Sequence, residues 1–180
     1  MSTARVAYFF GDDDLTIDRV VRRFGQEVAA GGEPLERWDL RGTRNAASAQ
    51  IGELHGRVAT STMFGGGTLA VVTNAGALTV TNDDRDAFVA LVPLVADGNA
   101  LVIVEQSQSG AKYPGQTKIA EAIRGAGGAV RRIESPKEGA LAAWNPVKPV
   151  KIKPLKAKKA KKPPKLGQGF GKGGFGGGFK

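Results

Sequence analysis

With 180 residues the chain is long enough for one domain with a real core, and it has no cysteine, which excludes disulfides, thiolate metal sites and cysteine nucleophiles. Its formal charge of +9 is unevenly spread: residues 148–180 hold 11 Lys and no acidic residue, whereas residues 1–147 hold 15 basic and 17 acidic side chains, a formal −2. That split predicts a folding body and a tail suited to a polyanion.

Val6-Ala7-Tyr8-Phe9-Phe10 is apolar on both faces and predicts a buried strand of a parallel sheet, ended by Gly11. Asp12, Asp13 and Asp14 follow where a helix would begin; there carboxylates cap free N–H groups and meet the positive end of the dipole. Ile17, Val20, Val21, Phe24 and Val28 form one helical stripe, which Gly31-Gly32 stops. Leu35–Leu40 predicts a second, less apolar strand nearer an edge. Ala47, Ile51, Leu54 and Val58 share a helix face, and Gly65-Gly66-Gly67 reads as a turn before a third strand, Leu69–Val72. Asp83 and Asp84 mark a helix start, and Phe88, Leu91, Val92 and Val95 its apolar face. Ala100–Val104 predicts a fourth strand, Ile119, Ala122 and Ile123 a short helix, and Ala129–Ile133 a fifth strand.

Strands alternating with helices at this spacing imply βαβ units and a three-layer, mostly parallel α/β sheet. The expected organisation is a body over 1–145, a Lys/Pro-rich segment over 146–166 and a Gly/Phe-rich segment over 167–180. Neither tail segment has the apolar content to offset chain entropy, so both are expected to be disordered.

The fold class invites a phosphate-binding loop after the first strand, but no GxxxxGK[ST] occurs. Three carboxylates at that helix start would repel phosphate. His55, the single histidine, reads as an ordinary helix-surface side chain. Asp12, Asp13 and Asp14 could bind a divalent cation, but helix capping explains them more simply. No catalytic residue, metal site or cofactor is expected. No run approaches the roughly 18 apolar residues that span a bilayer, and Val6–Phe10 is too short for a signal h-region. The chain is therefore expected to be cytoplasmic, with no membrane partner.

Three stretches in order carry a family resemblance over roughly residues 5–145. They are Tyr8-Phe9-Phe10-Gly11-Asp12-Asp13, then Leu35-Glu36-Arg37-Trp38-Asp39, then Thr60-Ser61-Thr62-Met63-Phe64-Gly65-Gly66-Gly67-Thr68-Leu69-Ala70-Val71-Val72-Thr73-Asn74-Ala75. Together they resemble the N-terminal domain of the delta subunit of the bacterial DNA polymerase III clamp loader. The resemblance implies an AAA+-like P-loop NTPase fold without its P-loop, no intrinsic activity, and binding to the sliding clamp in DNA replication. It places Thr62, Met63 and Phe64 at the clamp, the apolar pair entering a hydrophobic pocket; an exposed Met-Phe pair is a plausible anchor. Read alone, Phe64 before a strand is a core residue. The family often has a basic residue in the turn where Gly67 and Thr68 stand here. Other loader subunits are further implied partners, although the small domain and helical collar that join them have no counterpart in these 180 residues.

The tail's Lys156, Lys158, Lys159, Lys161, Lys162 and Lys165 can neutralise phosphates without reading sequence, and Phe170, Phe175 and Phe179 can stack on unpaired bases. Non-specific DNA binding at the nucleoid is the expected role. RNA, an acidic protein surface and a merely solubilising extension are alternatives. Two other readings of the whole chain stand beside the clamp-binding one: a stand-alone nucleic-acid-binding protein without clamp contact, and a nucleotide-using enzyme, against which the missing phosphate loop argues.

Overall fold

The computed structural model describes residues 4–29, 32–61 and 66–135, all within one unit spanning Met1–Ala142. The chain is an α/β protein with a five-stranded, all-parallel sheet. Its elements are β1 (Val6–Gly11), α1 (Asp14–Ala29), β2 (Glu36–Arg41), α2 (Ala47–Val58), β3 (Thr68–Thr73), α3 (Asn82–Leu91), β4 (Ala100–Gln106), α4 (Thr117–Gly125) and β5 (Ala129–Ile133). The tail segments assigned to 146–166 and 167–180 lie outside the described residues.

The strands lie in the order β2-β3-β4-β1-β5. From β1 the chain crosses to the far edge at β2, returns through β3 to β4, and passes β1 to reach β5. The face changes with the direction. Ile17, Val21 and Phe24 of α1 pack with Ala7, Phe9, Leu69, Val71, Ala100 and Val102 on one face. Helices α2, α3 and α4 cover the other through Ile51, Leu54, Phe88, Leu91, Ile119 and Ile123, which meet Tyr8, Ala70, Val72, Leu101 and Ile103. Reversing both direction and face preserves a single crossover hand, as βαβ units require.

Strand periodicity explains how one run serves both layers. Val6, Tyr8 and Phe10 point to the three-helix side, Ala7 and Phe9 to α1. All six residues of β1 are buried, paired to β4 on one side and β5 on the other. Edge-to-face ring contacts fill each layer, Tyr8 with Phe10 at 6.3 Å and Phe9 with Phe24 at 6.2 Å.

Strand β2 is an edge strand with only Leu40 fully buried. Two of its charged side chains, Arg37 and Asp39, are tied down locally. Arg37 pairs with Asp39 at 3.0 Å and with Asp18 of α1 at 2.7 Å, and the Arg57 guanidinium of α2 lies 4.7 Å from the Trp38 ring centroid. The strand is shifted one residue C-terminal of the sequence expectation, starting at Glu36 and ending at Arg41. A second correction concerns Val92 and Val95. Both are buried as expected, but α3 ends at Leu91 and a 3₁₀ turn follows over Val92–Leu94. Pro93 has no N–H to continue the α-helical ladder. Asp83 and Asp84 do open α3: the Thr81 hydroxyl caps the helix, accepting from the Asp84 amide at 3.1 Å and donating to its carboxylate at 2.7 Å.

Phe88 is fully buried where α3 meets the sheet and the neighbouring helices. Phe88→Ala should cost about 3–5 kcal/mol, from lost transfer energy plus the cavity left behind. Urea unfolding would show this as a lower midpoint at unchanged m; a loss below about 1 kcal/mol would mean that this layer collapses freely around the gap.

Candidate functional site

Three regions could carry function: the turn after β1, the cleft at the carboxyl ends of the strands, and the connection between α2 and β3.

The turn after β1 is where a nucleotide-binding α/β fold would cradle phosphate. Gly11 brings the chain so close to β5 that a Cβ would lie 1.5 Å from the Ile133 carbonyl oxygen, which only glycine permits. The aspartates then take the amides. Asp13 is the N-terminal cap of α1: its carboxylate accepts from the Thr16 amide at 2.9 Å and the Thr16 hydroxyl at 2.7 Å. Asp12 accepts from the Ser135 amide at 2.8 Å, tying the turn to the chain leaving β5. Asp14 accepts from the Gln106 side chain at 2.9 Å. Among the described residues no group of three or more His, Asp or Glu side chains is placed to hold a metal ion.

The cleft lies over the carboxyl ends of β2, β3 and β4, the side of the sheet where open α/β folds bind ligands. It encloses about 560 Å³ and is lined by Tyr8, Arg41, Thr73, Asn74, Ala75, Gly76, Val104, Glu105, Gln106 and Gln116. Its polar groups are largely engaged with one another. The buried Tyr8 hydroxyl donates to the Glu105 carboxylate and accepts from the Gln116 amide at 3.3 Å. Glu105 also accepts from the Gly115 amide at 3.0 Å. Burial, and after it the Glu105 hydrogen bond and charge, push the Tyr8 phenol well above its ordinary range, so it stays a proton donor. Asn74 stands in the left-handed region at φ 55° and donates to the Gly42 carbonyl at 2.9 Å, joining the ends of β3 and β2. Arg41 on the rim makes no ion pair among the described residues.

The described ends of the connection between α2 and β3 are bonded to Asn99. Asn99, 1% exposed, lies just before β4. Its side-chain N–H₂ donates to the carbonyls at the end of α2, Thr60 at 2.8 Å, Val58 at 3.1 Å and Arg57 at 3.4 Å. Its Oδ1 accepts from the Thr68 amide, the first of β3, at 2.8 Å. The site residues Thr62, Met63 and Phe64 belong to this connection but lie outside the described residues, as do Lys156, Lys158, Lys159, Lys161, Lys162, Lys165, Phe170, Phe175 and Phe179. A groove of about 340 Å³ between α2 and α3 is lined by small and apolar residues together with His55 and Asp84, with Leu94 half exposed. His55 is exposed, as expected of a helix-surface side chain.

Nothing local marks Asn99 in the sequence; it follows Asp97-Gly98 and reads as a turn residue. Tyr8 and Glu105 are equally silent, being 97 positions apart. No family model and no curated protein matches the chain.

Hydrogen bonds from the Thr16 amide and hydroxyl hold the Asp13 carboxyl below the usual carboxylate range, and the Ser135 amide does the same for Asp12. A lowered folded-state pKa gives stability that is present above the unfolded value and lost as pH falls through the folded one. Asp13→Ala should therefore lower the Tm at neutral pH, and the difference from wild type should close as pH drops below about 4. Melts followed by circular dichroism across pH 2.5–7 would show the two curves converging; a gap constant across that series would mean that the charge of Asp13 contributes nothing.

Proposed function

We propose that this chain is a non-catalytic, clamp-loader-type protein, delta-like in its body. It binds the sliding clamp through Met63 and Phe64, with Thr62 beside them, and acts in DNA replication. Its basic tail holds DNA without sequence preference. The observation that carries the reading is the turn after β1. In a parallel α/β sheet whose first strand is central, the position that would hold phosphate is closed by Asp13 capping α1 and Asp12 bound to Ser135. A fold of nucleotide-binding type with its phosphate site filled by carboxylates suits an ATP-less clamp-contacting subunit better than a nucleotide-using enzyme. The all-parallel sheet with β1 between β4 and β5 also fits the AAA+-type fold that the resemblance implies. Among the described residues no helix is long and apolar enough to cross a membrane; in this reading the DNA-binding tail holds the protein at the nucleoid.

The reading as a stand-alone nucleic-acid-binding protein has the tail in common with this one and differs at the clamp. Met63→Ala with Phe64→Ala should weaken binding to the sliding clamp of the same genome by roughly 2–4 kcal/mol, the range of buried anchor residues, and leave the Tm nearly unchanged. Surface plasmon resonance with a parallel melt decides it: unchanged clamp affinity removes the proposal, and unfolding of the variant assigns Phe64 to the core.

The tail supplies nearly all DNA affinity in this reading, because the body carries a formal −2 and the tail all the excess positive charge. If about six Lys meet phosphates at once, log K against log salt should fall with a slope of about −5 on duplex DNA. Replacing Phe170, Phe175 and Phe179 by Ala should leave that slope alone and remove any preference for single strands at high salt. Fluorescence anisotropy over a salt series tests this, and equal affinity with and without residues 148–180 would contradict it.

A further inference from the structure

We infer that the cleft over the carboxyl ends of β2, β3 and β4 binds a small zwitterion: a linear molecule with a primary amine for Glu105 and a carboxylate for Arg41. The inference uses described residues alone and is independent of the clamp-binding reading.

The sheet sets the two charges apart. Arg41 pairs in register with Thr73, and Thr73 with Val104, so Glu105 stands one residue beyond the level of Arg41. Strand β3 lies between β2 and β4, and two interstrand spacings put their backbones about 10 Å apart. Strand alternation separates the side chains further. Glu105 follows Leu101 and Ile103 onto the three-helix face, whereas Arg41 is out of phase with Leu40 and belongs to the other. The cleft reaches both, with Arg41 on its rim and Tyr8, Glu105 and Gln116 on its opposite wall. A compact ion cannot meet both charges; a linear molecule with opposite charges at its ends can.

Each charge is held in place without being neutralised. The Glu105 carboxylate accepts from the Tyr8 hydroxyl and from the Gly115 amide at 3.0 Å. Glycine permits that approach, because a Cβ on Gly115 would lie 2.3 Å from Glu105 Oε1. Both donors are neutral, and no basic side chain among the described residues pairs with Glu105. A carboxylate offers about four lone-pair sites, which leaves capacity for an ammonium donor. Arg41 is held through its backbone, whose carbonyl accepts from Gln50 Nε2 at 3.0 Å, while its exposed side chain keeps the guanidinium unpaired among the described residues. Between the two, the Thr79 hydroxyl grips one end of the Gln116 amide at 3.0 Å and leaves the other end on the cleft wall. Gly76 makes room there: a Cβ on it would lie 2.9 Å from Gln116 Nε2.

These charges select the ligand. A phosphate or nucleotide would set further negative charge against Glu105, and a polyamine would set positive charge against Arg41. A zwitterion offers a partner to each. Because the walls exclude part of the water, both pairs are stronger than an ion pair on open surface.

The test titrates the full chain with glycine, β-alanine, γ-aminobutyrate and ε-aminocaproate, following the Gly76, Gly115 and Gln116 amide signals by NMR. Caproate and hexylamine carry one charge each and serve as controls. A longer member of the amino-acid series should shift those signals saturably, and each control should bind about tenfold more weakly, having lost one charge-assisted hydrogen bond. Arg41→Gln should lower the affinity for the best zwitterion to that of hexylamine, and Glu105→Gln to that of caproate. Arg41→Glu makes both ends of the cleft negative and should reverse the preference, so that the diamine cadaverine binds better than ε-aminocaproate. Arg41 is exposed, so its variants should melt with wild type; should Glu105→Gln not fold, the two Arg41 variants decide. Absence of saturable shifts with every amino acid at about 10 mM overturns the inference. So does equal binding of the controls, or an unchanged preference in Arg41→Glu.

Discussion

The fold turns on the burial of β1 on both faces between two parallel neighbours. Val6–Gly11 has no solvent-facing side, so every backbone group must be satisfied by β4 and β5 and every side chain by one of two helix layers. The alternation of Val6, Tyr8 and Phe10 against Ala7 and Phe9 divides the core into its two clusters. A slip of one residue would exchange the layers, setting Tyr8 under α1 and away from Glu105. The glycine at the strand's end is part of the same constraint, because β5 approaches there too closely for any side chain.

From that strand the chain uses its polar residues as fasteners between elements that are distant in sequence. Asp12 joins the first turn to the chain beyond β5. Tyr8 and Glu105 join β1, β4 and the start of α4. Asn74 joins β3 to β2, and Asn99 joins α2 to β3 from a third place. These groups sit at the ends of strands and helices, where backbone donors and acceptors run out of regular partners. The carboxylates after β1 therefore have a structural role in the position where related architectures place ligand chemistry.

The surface divides the same way. On strand β2, Arg37 pairs with its neighbour Asp39 and with Asp18 of α1. Much of the remaining positive charge of the whole chain belongs to residues 148–180. The sequence thus divides into a body near neutrality, residues 1–147, and a cationic stretch, residues 148–180.

By itself the sequence determined the layers. Runs apolar at every position announced β1, β3 and β4, since a strand covered on both faces needs no polar alternation, and stripes such as Ala47, Ile51, Leu54 and Val58 announced the helices, since one face at a period of 3.6 must be covered. The aspartates after Gly11 likewise read as a cap, because the interaction is between residues three apart. Tertiary structure alone decided the strand order, the end of α3 in a 3₁₀ turn that still buries Val92 and Val95, and the fasteners. Asn99 acts on carbonyls about 40 residues earlier, and Glu105 on a hydroxyl 97 residues earlier. No local pattern encodes such pairs: a single Asn or Glu has the same local preferences wherever it stands, and its partner exists only once the parallel sheet has brought distant strand ends to one edge.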